Sequence, residues 1–158
     1  MPAPSESTSG PLDIRRANPS DLPAIKAIID ASYAKYGTRM DKPPAPLTRD
    51  YGLSVAEGTT WVAGDPITAV LTLYPREDHL YVENVAVDPR AQGQGVGRAL
   101  MEFAEQQAAE RRLRRMALVT HEAMTENQAI YAHLGYVEVE RRAEDGYRRI
   151  YLQKFLSD

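Results

Sequence analysis

Asp88-Pro89-Arg90-Ala91-Gln92-Gly93-Gln94-Gly95-Val96-Gly97-Arg98 is the stretch on which the fold turns. Just before it, residues 79–87 form a β-rich run. Just after it, Val96, Ala99, Leu100, Phe103, Ala104 and Ala108 recur at helical spacing and predict one apolar helix face. The segment therefore reads strand, turn, helix, with glycine at alternate positions of the turn. Glycine lets backbone N–H groups approach a ligand closely and adopt positive φ. A helix start adds unsatisfied N–H groups and the positive end of the macrodipole. Together these predict an anion site suited to phosphate or pyrophosphate. Arg90 and Arg98 flank it, within reach of further phosphate oxygens. A Walker A loop needs Lys-Ser/Thr after its last glycine, whereas Arg98-Ala99 follow Gly97, which excludes that reading. A dinucleotide fingerprint needs its third glycine where Arg98 stands, and fails too. A merely tight strand-to-helix turn remains the structural alternative.

Outward from the turn, the order of elements is mixed. Residues 12–16 alternate weakly, as a first strand. Asn18-Pro19-Ser20-Asp21 reads as a helix start, Asn18 capping, Pro19 in the first position and Asp21 as the reciprocal acid. Leu22, Ile25, Ile29, Ser32, Tyr33 and Tyr36 form a buried stripe ended by Gly37, and a proline-rich loop leads to a short helix over 48–57. Runs 59–63 and 67–74 are strands around Gly64-Asp65-Pro66. Downstream, residues 116–120 predict a short buried strand, 125–133 a short helix, and 136–142 with 147–154 a hairpin around Asp145-Gly146. The expectation is an α/β (α+β) domain over 12–158 with a central mixed, mostly antiparallel sheet flanked by helices. Residues 1–11, rich in Pro, Ser and Thr without an apolar core, read as a disordered tail and not a signal peptide.

The 158 residues suffice for one domain with its own core. Their 43% hydrophobic and 26% charged content is that of a globular chain. No apolar run approaches the roughly 20 residues that span a bilayer. Cysteine is absent, which removes disulfides, thiolate catalysis and zinc–thiolate sites, and no metal site is expected. The net charge of -3 gives no general attraction to nucleic acid or an anionic membrane. Arg111-Arg112-Leu113-Arg114-Arg115 reads as a solvated helix end whose arginines complement the negative end of the dipole. A cytoplasmic protein follows as the expectation.

The stretch Val85-Ala86-Val87-Asp88-Pro89 through Gln92-Gly93-Gln94-Gly95-Val96-Gly97-Arg98 resembles the acyl-CoA motif of the GCN5-related N-acetyltransferase (GNAT) superfamily, Gln/Arg-x-x-Gly-x-Gly/Ala, matched by Gln92, Gly95 and Gly97. Asn127 followed by Tyr131-Ala132-His133-Leu134-Gly135-Tyr136 is similar to that family's second signature, although many members hold the asparagine farther upstream. The resemblance extends over about residues 12–156. It implies acetyl-CoA as cosubstrate along Val85, Ala86, Val87, Gln92, Gly93, Gln94, Gly95, Val96, Gly97, Arg98, Asn127 and Tyr131. It further implies pantetheine bonded to the main chain at Val85 and Val87, the Val85 N–H as oxyanion donor, and Tyr131 as general acid toward the thiolate.

Acetyl transfer to a primary amine needs a neutral nucleophile, donors for the oxyanion and a proton for the thiolate. Glu83, two residues before Val85, falls on the same strand face by simple alternation. It is the first candidate base, through water, with His121 or water alone as rivals. The structural alternative for Glu83 is a solvated acid or ion-pair partner, and for Tyr131 a core tyrosine beside Ile130 and Leu134. Tyr33, Tyr36, Tyr51 and Tyr147, with His121, are candidate walls of the acceptor pocket, together with Arg39 and Trp61. Asp41, Asp50 and Glu122 are unranked candidates for holding a cationic amine. Without cysteine, direct attack in a ternary complex is the expected course, on a small-molecule or peptide amine. The rival class is a non-catalytic acyl-CoA sensor of the same fold, and a homodimer is a possible assembly.

Overall fold

The computed structural model describes residues 12–157; the expected tail lies outside the described residues. Seven strands, β1 Ile14–Arg16, β2 Thr60–Ala63, β3 Ala69–Pro75, β4 Leu80–Val87, β5 Arg115–His121, β6 Val137–Glu144 and β7 Tyr147–Phe155, form one sheet. Its order is β1-β2-β3-β4-β5-β7-β6. Every neighbouring pair is antiparallel except β4 and β5. Four α-helices accompany it: α1 Leu22–Tyr33, α2 Tyr51–Ala56, α3 Val96–Glu110 and α4 Thr125–His133. No helix among the described residues is long and apolar enough to cross a membrane.

Strand alternation separates two apolar layers. Ala63, Ala69, Leu71 and Leu73 pack with Leu100, Met101, Ala104 and Ala108 of α3, while Val62, Val70 and Ala86 pack with Ile25, Ile28 and Ile29 of α1. An aliphatic side chain taken fully from water contributes about 1.5–3 kcal/mol, so Leu71 and Leu100, both 0% exposed, anchor the α3 face. Met101 is buried where the sequence pattern pointed to Phe103. Phe103 lies at the flank instead, with its ring 4.9 Å from that of Trp61, over which Arg16 sits at 4.5 Å.

The N-terminal capping box forms as read: Asn18 accepts from the Ser20 N–H at 3.0 Å and Asp21 from the Asn18 N–H at 2.8 Å. It opens a 3-10 turn over Pro19–Asp21 ahead of α1. The α-helix ends at Tyr33, and a further 3-10 turn carries the chain to Gly37. The helix expected over 48–57 is shortened to α2, because the Asp50 carboxylate caps the Leu53 N–H, and a separate 3-10 turn, Ala45–Thr48, precedes it.

The decisive irregularity is in β4. Thr72 faces Asn84 and Leu73 faces Val82, so Glu83 is the extra residue of a bulge. A bulge bends its strand and ends pairing, and β4 pairs β5 only over Leu80–Val82. Beyond Val82 the two strands part. The bulge also exchanges faces, since Leu80 and Val82 before it and Val85 and Val87 after it all pack on the α3 side.

Candidate active site

The parted strands leave one edge of β4 open. The Asp88 N–H donates to Thr68 O at 2.8 Å, which marks 68/88 as a bonded pair. Antiparallel pairs alternate between bonded and non-bonded, so Val85 and Val87, opposite Leu71 and Ala69, turn their N–H and C=O groups away from β3 to the open edge. There Val87 O accepts from the Gln92 side chain at 3.1 Å, and the Tyr33 hydroxyl oxygen lies 3.4 Å from Val85 O.

Gln92 thus staples the turn to the strand. Gly93 and Gly95 hold φ of 82° and 81°. A Cβ on either would meet nothing within 4 Å, so their backbones face open space. Gly95 is the N-cap of the fifteen-residue α3 and offers no side chain to cap it, leaving the first N–H groups available. A cavity of about 430 Å³ lies over this turn, lined by Val85, Ala86, Val87, Gln92, Gly93, Gly95, Val96, Gly97 and Arg98 together with Lys35, Tyr36, Asn127 and Tyr131. Gln94 is not among its lining residues. Arg90 lies outside this cavity, held by Asp88 at 2.9 Å, and Arg98 reaches Glu102 at 3.6 Å.

A second cavity, of about 360 Å³, opens between the parted strands and shares Tyr33, Val85, Asn127 and Tyr131 with the first. Tyr131 comes to this junction because α4 stops just after it. The Tyr136 N–H reaches back to Tyr131 O at 3.0 Å and the Gly135 N–H to Ala132 O at 3.1 Å. Gly135 has φ of 97°. These are the two bonds of a Schellman stop, whose flanking apolar contact is the Tyr131–Tyr136 ring pair at 6.0 Å. The Tyr-x-x-x-Gly-Tyr spacing is thus a helix terminus that fixes one tyrosine at the junction and buries the other. The Tyr131 hydroxyl has no hydrogen-bond partner among the described residues. Burial, and secondarily Tyr36, raise its pKa above the usual phenol value, so it stays protonated throughout the working pH range.

Glu83 lines the second cavity and pairs with Arg49 at 3.5 Å. The alternation that set it beside Val85 does not hold, because the bulge falls on Glu83 itself. His121 lines the same cavity, but its Nδ1 accepts from the Ala123 N–H at 2.9 Å and its Nε2 faces the Arg148 N–H at 3.2 Å. A neutral ring carries one N–H, so only one of these nitrogens accepts at a time; adding the second proton would turn that acceptor against its backbone donor, and burial lowers the imidazole pKa below its ordinary value. Tyr147 lines this cavity, donating to Pro43 O at 2.7 Å with its ring against His121.

The remaining aromatic candidates separate. Tyr33 lies at the junction, its hydroxyl donating to Asn84 Oδ1 at 2.6 Å. Tyr36 lines the first cavity, not the second, and bonds Asn127 at 3.3 Å; burial pushes its pKa up to about 12. Tyr51 lines neither: its hydroxyl joins Asn84 Nδ2 to Pro46 O. Trp61 belongs to the α3 face. Arg39 is engaged with Glu126 at 2.7 Å, Asp50 caps α2, and neither Asp41 nor Glu122 lines the second cavity. Sequence reading missed Asn84, 3% exposed, the hub between Tyr33 and Tyr51. A polar residue among the apolar positions of β4 was the available signal. It also missed Arg49, Arg76 and Arg149, which line the second cavity and have no distinguishing pattern.

Residues 23–136 match the model of the acetyltransferase (GNAT) family. The chain belongs to that family, and the activity is acyl transfer from acetyl-CoA. Among solved structures, the chain is similar to PaiA N-acetyltransferase from Thermoplasma acidophilum in complex with coenzyme A, with TM-score 0.76 and 12% identity over 91% of this chain and 98% of that one. It is also similar to ribosomal-protein-S18-alanine N-acetyltransferase from Escherichia coli, with TM-score 0.73 and 23% identity over 93% and 95%. Ard1 from Thermoplasma volcanium gives TM-score 0.73 and 17% identity over 94% and 100%. These likenesses concern the fold. Comparison with curated proteins gives no significant match.

Proposed function

We propose that the chain is an N-acetyltransferase that moves acetyl from acetyl-CoA to a primary amine of a small molecule or peptide, by direct attack in a ternary complex. The observation that carries the reading is the meeting of two cavities at an unbonded, protonated tyrosine hydroxyl where β4 leaves β5. The turn from Gln92 to Arg98, with Lys35 beside it, suits the pyrophosphate: it combines exposed N–H groups, a helix start and cationic side chains. Val85 and Val87 offer main-chain groups along an open strand edge, as an extended amide-bearing arm requires. The thioester supplies an activated acyl group.

In this reading the amine nitrogen attacks the carbonyl carbon. The C–N bond forms, the C–S bond breaks, and the Val85 N–H donates to the oxyanion between the two events. Glu83 takes the amine proton through water, and the Tyr131 hydroxyl gives its proton to the departing thiolate. Burial makes this phenol a weaker acid, but a thiolate released beside it gains basicity for the same reason. A cysteine-free chain has no thiol for an acyl-enzyme. The setting proposed is the cytoplasm.

Coenzyme A release over a panel of amines tests the reading. Tyr131→Phe is expected to lower kcat by about 10²–10⁴-fold, the usual worth of a general acid, with the acetyl-CoA Kd unchanged; Glu83→Gln is expected to lower it as well. Full turnover in both variants would overturn these roles. Tight acetyl-CoA binding without acetylation of any amine would favour a sensor.

A further inference from the structure

The second cavity has an uneven charge. Among the described residues that line it, Glu83 is the one carboxylate, against the guanidinium groups of Arg49, Arg76 and Arg149. The chain as a whole is net negative at -3, so this excess is local. The internal partners do not saturate it. The Arg49–Glu83 contact of 3.5 Å is longer than the roughly 2.7–2.9 Å of a charge-assisted hydrogen bond. Arg149 reaches Glu144 at 3.2 Å and Asp145 at 3.3 Å, both through Nη1. Arg76 has no carboxylate partner among the described residues, and its guanidinium lies 5.2 Å from the Tyr74 ring centroid and 5.8 Å from that of Tyr81.

An acceptor that fills this space displaces the water solvating these groups. Taking a charge out of water is costly unless an opposite charge replaces the water. A neutral or purely cationic amine leaves that cost uncompensated at the arginines. An amine that also carries an acid offsets it and gains planar, bidentate partners.

The layout orders the two ends of such a molecule. Moving down β4 from the junction at Val85, Glu83 comes first and Tyr81 next, with Arg76 beyond it. At about 3.3 Å per strand residue, Tyr81 stands some 7 Å below Glu83. The carboxylate is therefore nearer the acetyl donor and Arg76 farther away. Across the gap Arg149 lies opposite His121 in the β5–β7 ladder.

We infer that the acceptor is an amine bearing an acidic group, its ammonium directed to Glu83 and its acid to Arg76, with Arg149 and Arg49 supporting. The inference rests on the acetyltransferase reading of the same cavity. Carboxylate and phosphate share the required chemistry.

The test compares amines matched except for the acid: phenethylamine with phenylalanine, and ethylamine with β-alanine and with O-phosphoethanolamine. Coenzyme A release is measured, and the acetyl-CoA Kd is read separately. The acid-bearing member is expected to have at least about tenfold higher kcat/KM, with the β-alanine and phosphoethanolamine arms telling carboxylate from phosphate. Arg76→Gln is expected to raise KM for the acid-bearing member and leave KM for its acid-free partner and the acetyl-CoA Kd unchanged. Arg76 is exposed, so the variant folds; Arg149→Gln is the second variant. Equal rates within each pair, or a preference that survives both substitutions, overturn the inference and leave the acetyltransferase reading standing. Acetyl-CoA binding with no amine acetylated overturns both.

Discussion

Gly95 and Gly97 stand two residues apart in the same turn and are glycine for different reasons. Gly95 has φ of 81°, a left-handed conformation that costs an ordinary L-residue about 1–2 kcal/mol. Gly97 lies inside α3 with no positive φ, and a Cβ there would meet Val87 Cγ2 at an ordinary 3.8 Å. Gly95→Ala is therefore expected to destabilise the chain by about 1–2 kcal/mol and to weaken acetyl-CoA binding. Gly97→Ala is expected to raise stability by up to about 1 kcal/mol, alanine being the better helix former, with binding retained. Urea denaturation and titration with acetyl-CoA check both, and a Gly95→Ala variant indistinguishable from the parent would refute the assignment. At this scale the sequence pattern was informative, because a turn glycine and a helix-stop glycine such as Gly135 act through local dihedral angles. Glu83 was less legible. Its two-residue offset from Val85 implied a shared face, and the bulge that cancels this arises from pairing with β3, which no local spacing records.

At the scale of elements, both longer helices outside α1 end in the same way. The Leu113 N–H reaches Ala108 O at 2.8 Å and the Arg112 N–H reaches Ala109 O at 3.0 Å, a second Schellman stop at the end of α3. Here the left-handed position is Arg112, with φ of 58°, not glycine. Arg112→Gly is expected to stabilise the chain by about 1 kcal/mol by relieving that conformation, seen as a higher urea midpoint at unchanged slope. An unchanged or lower midpoint would show that the Arg112 side chain contributes more than the strain it imposes. The basic run read as a dipole-complementing helix end does so through Arg111, which donates to Gln107 O at 3.2 Å. The Asp145-Gly146 pair is equally local: φ values of 54° and 81° give the two-residue turn whose twist matches the flanking strands. By contrast, the helix expected over 48–57 was shortened by its cap, and Phe103 yielded its core place to Met101. Which side of a broad helical face lies deepest depends on the sheet it meets.

At the scale of the molecule, distant segments are tied around the two cavities. Lys42 donates to Asp145 O at 2.7 Å and Tyr147 to Pro43 O, which fastens the terminal hairpin to the proline-rich loop. Arg39, just past α1, holds Glu126 of α4 through two bonds, and this contact is the main reason that the Glu126 carboxyl titrates at about 2. A folded-state pKa below the unfolded value stabilises the fold above the unfolded pKa, about 4.5 here, and the contribution is lost as pH falls toward 2. Tm is thus expected to fall between pH 5 and 2 more steeply in the parent than in Glu126→Gln. Parallel curves for the two proteins would refute the linkage. The effect is modest and weakens with salt, since the pair is exposed.

The amino-acid sequence by itself determined the glycine turn, the helix stop after Tyr131, the Asp-Gly hairpin and the family to which these motifs belong, because each is a short-range matter of dihedral angle, capping and hydrophobic period. Only the tertiary structure decided how the aromatic candidates divide, with Tyr147 at the second cavity, Tyr36 at the first, Tyr51 behind Asn84 and Trp61 on the α3 face. It alone brought Arg49, Arg76 and Arg149 into one cavity with Glu83. Those residues come from four separate segments, and their meeting depends on the bulge at Glu83 that parts β4 from β5, a consequence of strand register that no single segment contains.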